Sequence, residues 1–198
     1  MSPHTIIFHG RSGCGKSTQA QMLKSFLETD DNERKILLIQ TGDQFRELAK
    51  SDTYTGRLVK KTLDEGGLFT EFLPIWIWTG ILVNNLNGNE DLLFDGLVRR
   101  LVEAHVLDGA FSFYKREQPT LLFLNVSREW SFKRLKERGR HDDTDEDIQK
   151  RLEWYEDEVV QALNFFRNNP GYRFLEINGE QPAEAVHQNI LKAIGLVG

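Results

Sequence analysis

Five short apolar runs punctuate the chain: Thr5 to Phe8, Lys35 to Gln40, Leu92 to Asp95, Thr120 to Val126 and Tyr172 to Ile177. Each has the length of a strand and is rich in Ile, Leu, Val or Phe. Between them lie longer stretches with helical spacing, among them Gln19 to Leu27, Glu71 to Leu86, Arg128 to Arg138, Asp145 to Phe166 and Ala183 to Ile194. This alternation predicts an α/β fold, a parallel sheet with helices on both faces. In Asp143-Thr144-Asp145-Glu146 the spacing reads as a capping box that opens the long helix, with Asp143 as the cap, and Asn168-Asn169-Pro170-Gly171 closes it. With no internal repeat and no linker rich in Gly, Ser or Pro, a single domain over residues 1–198 is expected.

Composition narrows the function more than the fold. Lys and Arg number 25 against 30 Asp and Glu, a net charge of −5, which argues against broad electrostatic capture of nucleic acid or an anionic membrane. Cys14 is the single cysteine, so neither an internal disulfide nor a cysteine zinc site is expected. The five histidines are scattered, and His9 and His141 lack partners at metal-ligand spacing. No apolar run reaches the roughly 18 residues of a membrane span, and the first residues show no leader pattern. The expectation is a cytoplasmic protein, monomeric by default.

Directly after the first apolar run, Gly10 to Ser17 read Gly-Arg-Ser-Gly-Cys-Gly-Lys-Ser. This fits the phosphate-binding loop G-x-x-x-x-G-K-[ST], and its position between a strand and a helix makes the match much more specific. Gly10, Ser12, Gly13, Cys14, Gly15 and Thr18 supply backbone and flank for a triphosphate. Lys16 brings a mobile cation, and the Ser17 hydroxyl suits Mg²⁺. The helix beginning at about Gly15 adds the positive end of its dipole.

Further pieces follow in order. Gly15 to Ala20 read Gly-Lys-Ser-Thr-Gln-Ala, and Thr41-Gly42-Asp43-Gln44-Phe45-Arg46 come after the second strand. Asp95-Gly96-Leu97-Val98-Arg99 follow the third, and Arg134, Arg138, Arg140-His141-Asp142-Asp143 and Arg151 lie beyond the fourth. Over nearly the whole chain this set resembles the adenylate kinase family of nucleoside monophosphate kinases. The resemblance implies ATP and a monophosphate as partners and a five-stranded sheet ordered 2-3-1-4-5 with the site beyond its carboxyl edge. It implies Arg46 and Arg99 as clamps on the acceptor monophosphate, with Thr41, Gly42 and Gly96 beside them and Leu68 and Phe69 at the base pocket. Arg138, Arg140 and Arg151 would surround the transferring group with Lys16, Arg134 would stack on the ATP adenine, and Asp95 would hold Mg²⁺ through water. Bringing two polyanions together demands cations and alignment rather than covalent chemistry. The planar guanidinium fork suits phosphate better than an ammonium. No general base is required, because the acceptor oxygen is already ionised.

Two departures stand out. Where adenylate members carry a glutamine that reads the adenine, this chain has Glu103, a carboxylate that only accepts hydrogen bonds and would match guanine's two donors better. The alternatives are that Glu103 points to solvent on a helix while backbone groups read the base, or that the alignment slips by a residue. AMP is the favoured acceptor, with GMP the runner-up. The second departure is the lid, reduced to about residues 138–143, with a single residue between Arg138 and Arg140; the acceptor-binding insert spans about 44–87. Rival readings are a P-loop kinase for another acceptor, with Asp43 as the base if that acceptor is a hydroxyl, and an ATP-binding regulator that transfers nothing. Asp43 and Asp143 otherwise read as caps, and Asp142 as a residue orienting an arginine or the ribose. Gly66-Gly67 read equally as a hinge or a helix stop. Pro74-Ile75-Trp76-Ile77-Trp78 invite a ligand-stacking role but fit helix packing better, and Trp154, Tyr155, Phe165 and Phe166 are expected in or flanking the core.

Overall fold

The computed structural model describes residues 3–29, 34–140 and 143–197. The apolar runs form β1 (Thr5–His9), β2 (Ile36–Gln40), β3 (Asp91–Asp95), β4 (Thr120–Asn125) and β5 (Arg173–Asn178). All pair in parallel, in the order β2-β3-β1-β4-β5 expected from the resemblance. Side chains alternate across the pleat, so each face has its own core. Ile7, Phe94, Leu121 and Phe123 meet α4 (Phe72–Asn85), α5 (Leu101–Phe113) and α8 (Val160–Asn168) on one side. Ile6, Phe8, Leu93 and Leu122 meet α1 (Lys16–Thr29) and α9 (Ala183–Ile194) on the other.

Three helices were not singled out by the pattern: α2 (Thr41–Ala49), α3 (Tyr54–Asp64) and α5. The first two bury only a narrow stripe each, Thr41 and Phe45 in α2 and Gly56 and Val59 in α3. Phe45, Val59 and Phe69 form a small separate cluster with Leu73 and Ile77 of α4. In α5 the helical period is blurred because Val102, Val106 and Phe113 are apolar yet exposed. Trp78 is wholly buried as expected of a packing residue, whereas Trp76 lies on the exposed face of α4.

The capping and continuity of the long helix need correction. It consists of α7 (Asp145–Trp154), a wider π turn (Tyr155–Val159) and α8, and the π turn draws both Tyr155 and Val159 inward. Its cap is Thr144, whose hydroxyl oxygen accepts from the Asp147 amide at 3.2 Å, and not Asp143. α6 (Arg128–Arg138) precedes it, capped by Ser127 and stopped by Gly139 in the left-handed conformation. Gly66 and Gly67 are a helix stop for α3: the Gly67 amide donates to the Thr62 carbonyl and the Gly66 amide to that of Leu63.

Candidate active site

The loop between β1 and α1 folds tightly because its glycines allow it. A side chain at Gly10 would put Cβ 2.6 Å from the Leu124 carbonyl oxygen, and the residue sits at φ +142°, so only glycine fits. Lys16 Nζ lies in the mouth of this loop, donating to the carbonyls of Gly10 at 2.7 Å and Arg11 at 2.8 Å. Cys14 is buried within the core beneath the loop. His9, at the end of β1, is buried, and burial followed by the charge of Lys16 pulls its pKa down to about 3. It is therefore a neutral imidazole at physiological pH.

The arginines converge from the opposite side. Asp143 is their anchor: it accepts from Arg138 Nε at 2.9 Å and Nη2 at 2.7 Å, from Arg151 Nη2 at 2.7 Å and from the Arg140 amide at 3.1 Å. Burial would raise its pKa, but the hydrogen bonds from Arg138 and Arg151 outweigh it and bring the carboxyl down to about 2. Asp143 is therefore not the helix cap: Thr144 takes that place, and the Asp143 carboxylate is engaged by two guanidinium groups through charge-assisted hydrogen bonds and by the Arg140 amide. Asp142 lies outside the described residues.

On the β2–β3 side, Arg46 pairs with Asp43, one turn earlier in α2, so Asp43 acts as an arginine partner and not as a cap. Thr41 Oγ1 donates to the Gly96 carbonyl at 3.0 Å, tying the start of α2 to the turn after β3. That turn carries strain. Val98, wholly buried and β-branched, sits at φ +58°, a conformation costing about 1–3 kcal/mol. It delivers Arg99, whose guanidinium lies over the Trp154 ring, 5.5 Å from its centroid. Burial lowers the Arg99 pKa, Glu103 and Asp95 oppose that, and the group stays a cation.

These pieces enclose one cavity of about 620 Å³. The phosphate-binding loop contributes Ser12, Gly13, Gly15, Lys16, Ser17 and Thr18. The β2–β3 side contributes Gly42, Arg46, Phe69, Asp95, Gly96 and Arg99, and the far wall Arg134, Arg138, Arg140 and Arg151. Five expected residues do not line it. Gly10 and Cys14 shape the loop from behind, Thr41 is buried at the strand edge, and Leu68 is half-buried outside the lining. The fifth, Glu103, is buried at the third position of α5. Its Oε1 accepts from the amides of Arg99 at 3.2 Å and Arg100 at 3.1 Å. Burial raises its pKa, against the pull of Arg99 and those amides. Its carboxylate completes a capping box at the start of α5, accepting from the cap residue Arg100 and from Arg99 before it, so the side chain is neither turned to solvent nor part of the cavity lining.

One lining residue, expected in or flanking the core, was not singled out from the sequence as a site residue. Trp154 lines the cavity one helical turn after Arg151, and its Nε1–H donates to the Gly66 carbonyl at 3.3 Å. Only the spacing from Arg151 on a common helix face signalled it.

The family model for adenylate kinase matches residues 8–170. The chain belongs to the adenylate kinase family. It is a phosphotransferase of the nucleoside monophosphate kinase type. Proteins named adenylate kinase are similar over almost its full length. That of Synechococcus sp. is 31% identical over 192 residues, covering 93% of each chain. That of Flavobacterium psychrophilum is 29% identical over 194 residues, 96% of this chain and 97% of its own. That of Stenotrophomonas maltophilia is 28% identical over 196 residues, 96% and 98%. Among the described residues of this kinase no helix is long and apolar enough to cross a membrane.

Proposed function

We propose that the enzyme transfers the γ-phosphoryl group of ATP to a nucleoside monophosphate, with AMP preferred (ATP + AMP = 2 ADP). The observation that carries this reading is that Lys16 on one wall and Arg46 and Arg99 on the other line one shared cavity. An ATP-binding regulator has no need of a second phosphate clamp. Arg46 and Arg99 hold the acceptor phosphate, while Lys16, Arg138, Arg140 and Arg151 neutralise the charge that builds as the two anions meet. Arg134, half exposed at the rim, suits the adenine of ATP. Helices α2 and α3 form the acceptor-binding insert and residues 138–143 the reduced lid. The preference for AMP over GMP is supported by the burial of Glu103, whose Oε1 serves the Arg99 and Arg100 amides.

Ser17 and Asp95 line the same cavity, and Asp95 also accepts from Gln40 Nε2 at 3.0 Å. One hydroxyl and one carboxylate suit Mg²⁺, which keeps most of its waters and takes remaining ligands from phosphate. When bound with ATP it offsets negative charge on the phosphate oxygens.

A coupled assay with ATP, Mg²⁺ and each of AMP, GMP, CMP, UMP and dAMP tests the reading, with Lys16→Met as the inactive control. The highest kcat/KM is expected with AMP. A preference for GMP overturns the base assignment, and equal slow ATP hydrolysis with every acceptor overturns phosphoryl transfer altogether.

A further inference from the structure

Each arginine expected to handle phosphate has to be held in place, and the chain holds them in different ways. Arg138 and Arg151 share the Asp143 carboxylate, and Arg46 pairs with Asp43. Arg99 differs. Among the described residues its guanidinium makes no ion pair and no hydrogen bond, and it rests on the face of Trp154. A carboxylate partner would occupy two of the five N–H donors and cancel the charge. An aromatic face attracts the cation through its quadrupole and leaves every donor for the incoming anion.

The other edge of the same indole reaches a different element. Trp154 Nε1–H donates to the carbonyl of Gly66, the residue that stops α3. Gly66 sits at φ +62°, and a Cβ there would be 2.9 Å from the Asp147 Cβ, so the α3 end is seated directly on α7. One ring therefore touches the segment after α3 and the guanidinium of Arg99. Neither contact involves the phosphate-binding loop.

We propose that Trp154 is a positioning residue for the acceptor monophosphate. It holds Arg99 ready without spending its donors, and it fixes the docked position of the α2–α3 insert through Gly66. This rests on the reading of Arg99 as an acceptor clamp. Because Trp154 acts through groups on the acceptor side, its loss is felt in acceptor binding and not in ATP binding.

Steady-state kinetics of the wild type, Trp154→Phe and Trp154→Leu test this, with ATP and the best monophosphate of the panel varied independently and thermal unfolding followed alongside. Phe keeps an aromatic face and loses the N–H, whereas Leu loses both. The expected result is a KM for the monophosphate raised about threefold in Trp154→Phe and about tenfold or more in Trp154→Leu, with the KM for ATP changed less than about twofold. Both KM values rising together, or neither rising, overturns the inference even though transfer persists. A wild type that phosphorylates no monophosphate overturns the underlying reading, and this one with it.

Discussion

Replacing Asp143 by Asn removes one negative charge from a point where four N–H donors from three residues converge. The side chain is wholly buried, with Arg138 and Arg151 on it and the Arg140 amide completing the set. Its pKa moves from 3.8 to about 2 on folding, and at 1.36 kcal/mol per pKa unit the ionised carboxylate contributes about 2 kcal/mol of stability. For a protein of this size that corresponds to a melting temperature lower by roughly 4–8 °C in the variant. The amide still offers one acceptor oxygen, so Arg138 and Arg151 stay nearby but lose their shared charged partner. Since both line the cavity, kcat is expected to fall by about tenfold or more, a loss typical of misplaced charge stabilisers.

The pH dependence gives a second, independent check. Because the folded pKa lies below the unfolded one, the unfolded chain takes up the proton first as pH falls. The stability gap between wild type and Asp143→Asn is therefore complete above about pH 5 and narrows through pH 4 towards 2. Denaturant unfolding at fixed pH values measures it. A gap that is absent at pH 7, or that does not shrink on acidification, refutes the assignment of Asp143 as the anionic anchor. So does a variant with both wild-type melting and wild-type kcat.

Three further outcomes follow from the geometry. Gly66→Ala combines a left-handed backbone with a Cβ only 2.9 Å from that of Asp147, so acceptor KM is expected to rise several-fold with ATP KM unchanged; unaltered acceptor kinetics would show that the α3 end is not seated there. His9, with its pKa drawn down to about 3, should show no titration of its ring resonances between pH 8 and 4; because the unfolded chain gains that proton near pH 6.5, His9 reduces stability as pH falls below that value, and a mid-range titration by NMR would contradict its burial. Glu103→Gln should leave the AMP-to-GMP ratio of kcat/KM unchanged, since Glu103 Oε1 serves two backbone amides; a shifted ratio would return this residue to the base pocket.

What the sequence made legible was whatever is specified by neighbours along the chain. The phosphate-binding loop is a backbone shape written by glycines at fixed spacing, and β1, β3 and β4 are nearly continuous apolar runs because both faces of the sheet are buried there, whereas the edge strands β2 and β5 are only partly covered. Interactions that close across the chain were misread. Asp143 was taken for a cap because local rules see only Thr144 to Asp147, whereas its partners lie five residues before and eight after. Glu103 was compared with a base-reading glutamine because it stands where the family resemblance puts that residue, four positions after Arg99, a spacing that says nothing about the helix it opens. Had α5 been placed from Leu101, a glutamate at its third position would have read as a capping residue. Trp154, expected in or flanking the core, is half-buried against the cavity, and nothing local to an aromatic on a helix separates a flank residue from a lining one.

Net charge misleads for the same reason, through averaging over distance. The chain carries −5 overall, yet among the described residues the cavity is lined by Lys16, Arg46, Arg99, Arg134, Arg138, Arg140 and Arg151 against Asp43, Asp95 and Glu137. At physiological ionic strength exposed charges are screened beyond about 8 Å, so a nucleotide at the mouth responds to this local excess of cations and hardly to the distant acidic surface. The same screening makes the excess vulnerable to salt. Raising salt should weaken nucleotide capture at the exposed Arg46 and Arg134 more than at the buried Arg151, because added ions reach the former and not the latter. Binding of either substrate that rises with added salt would mean that the acidic exterior, and not this cluster, sets the field at the entrance.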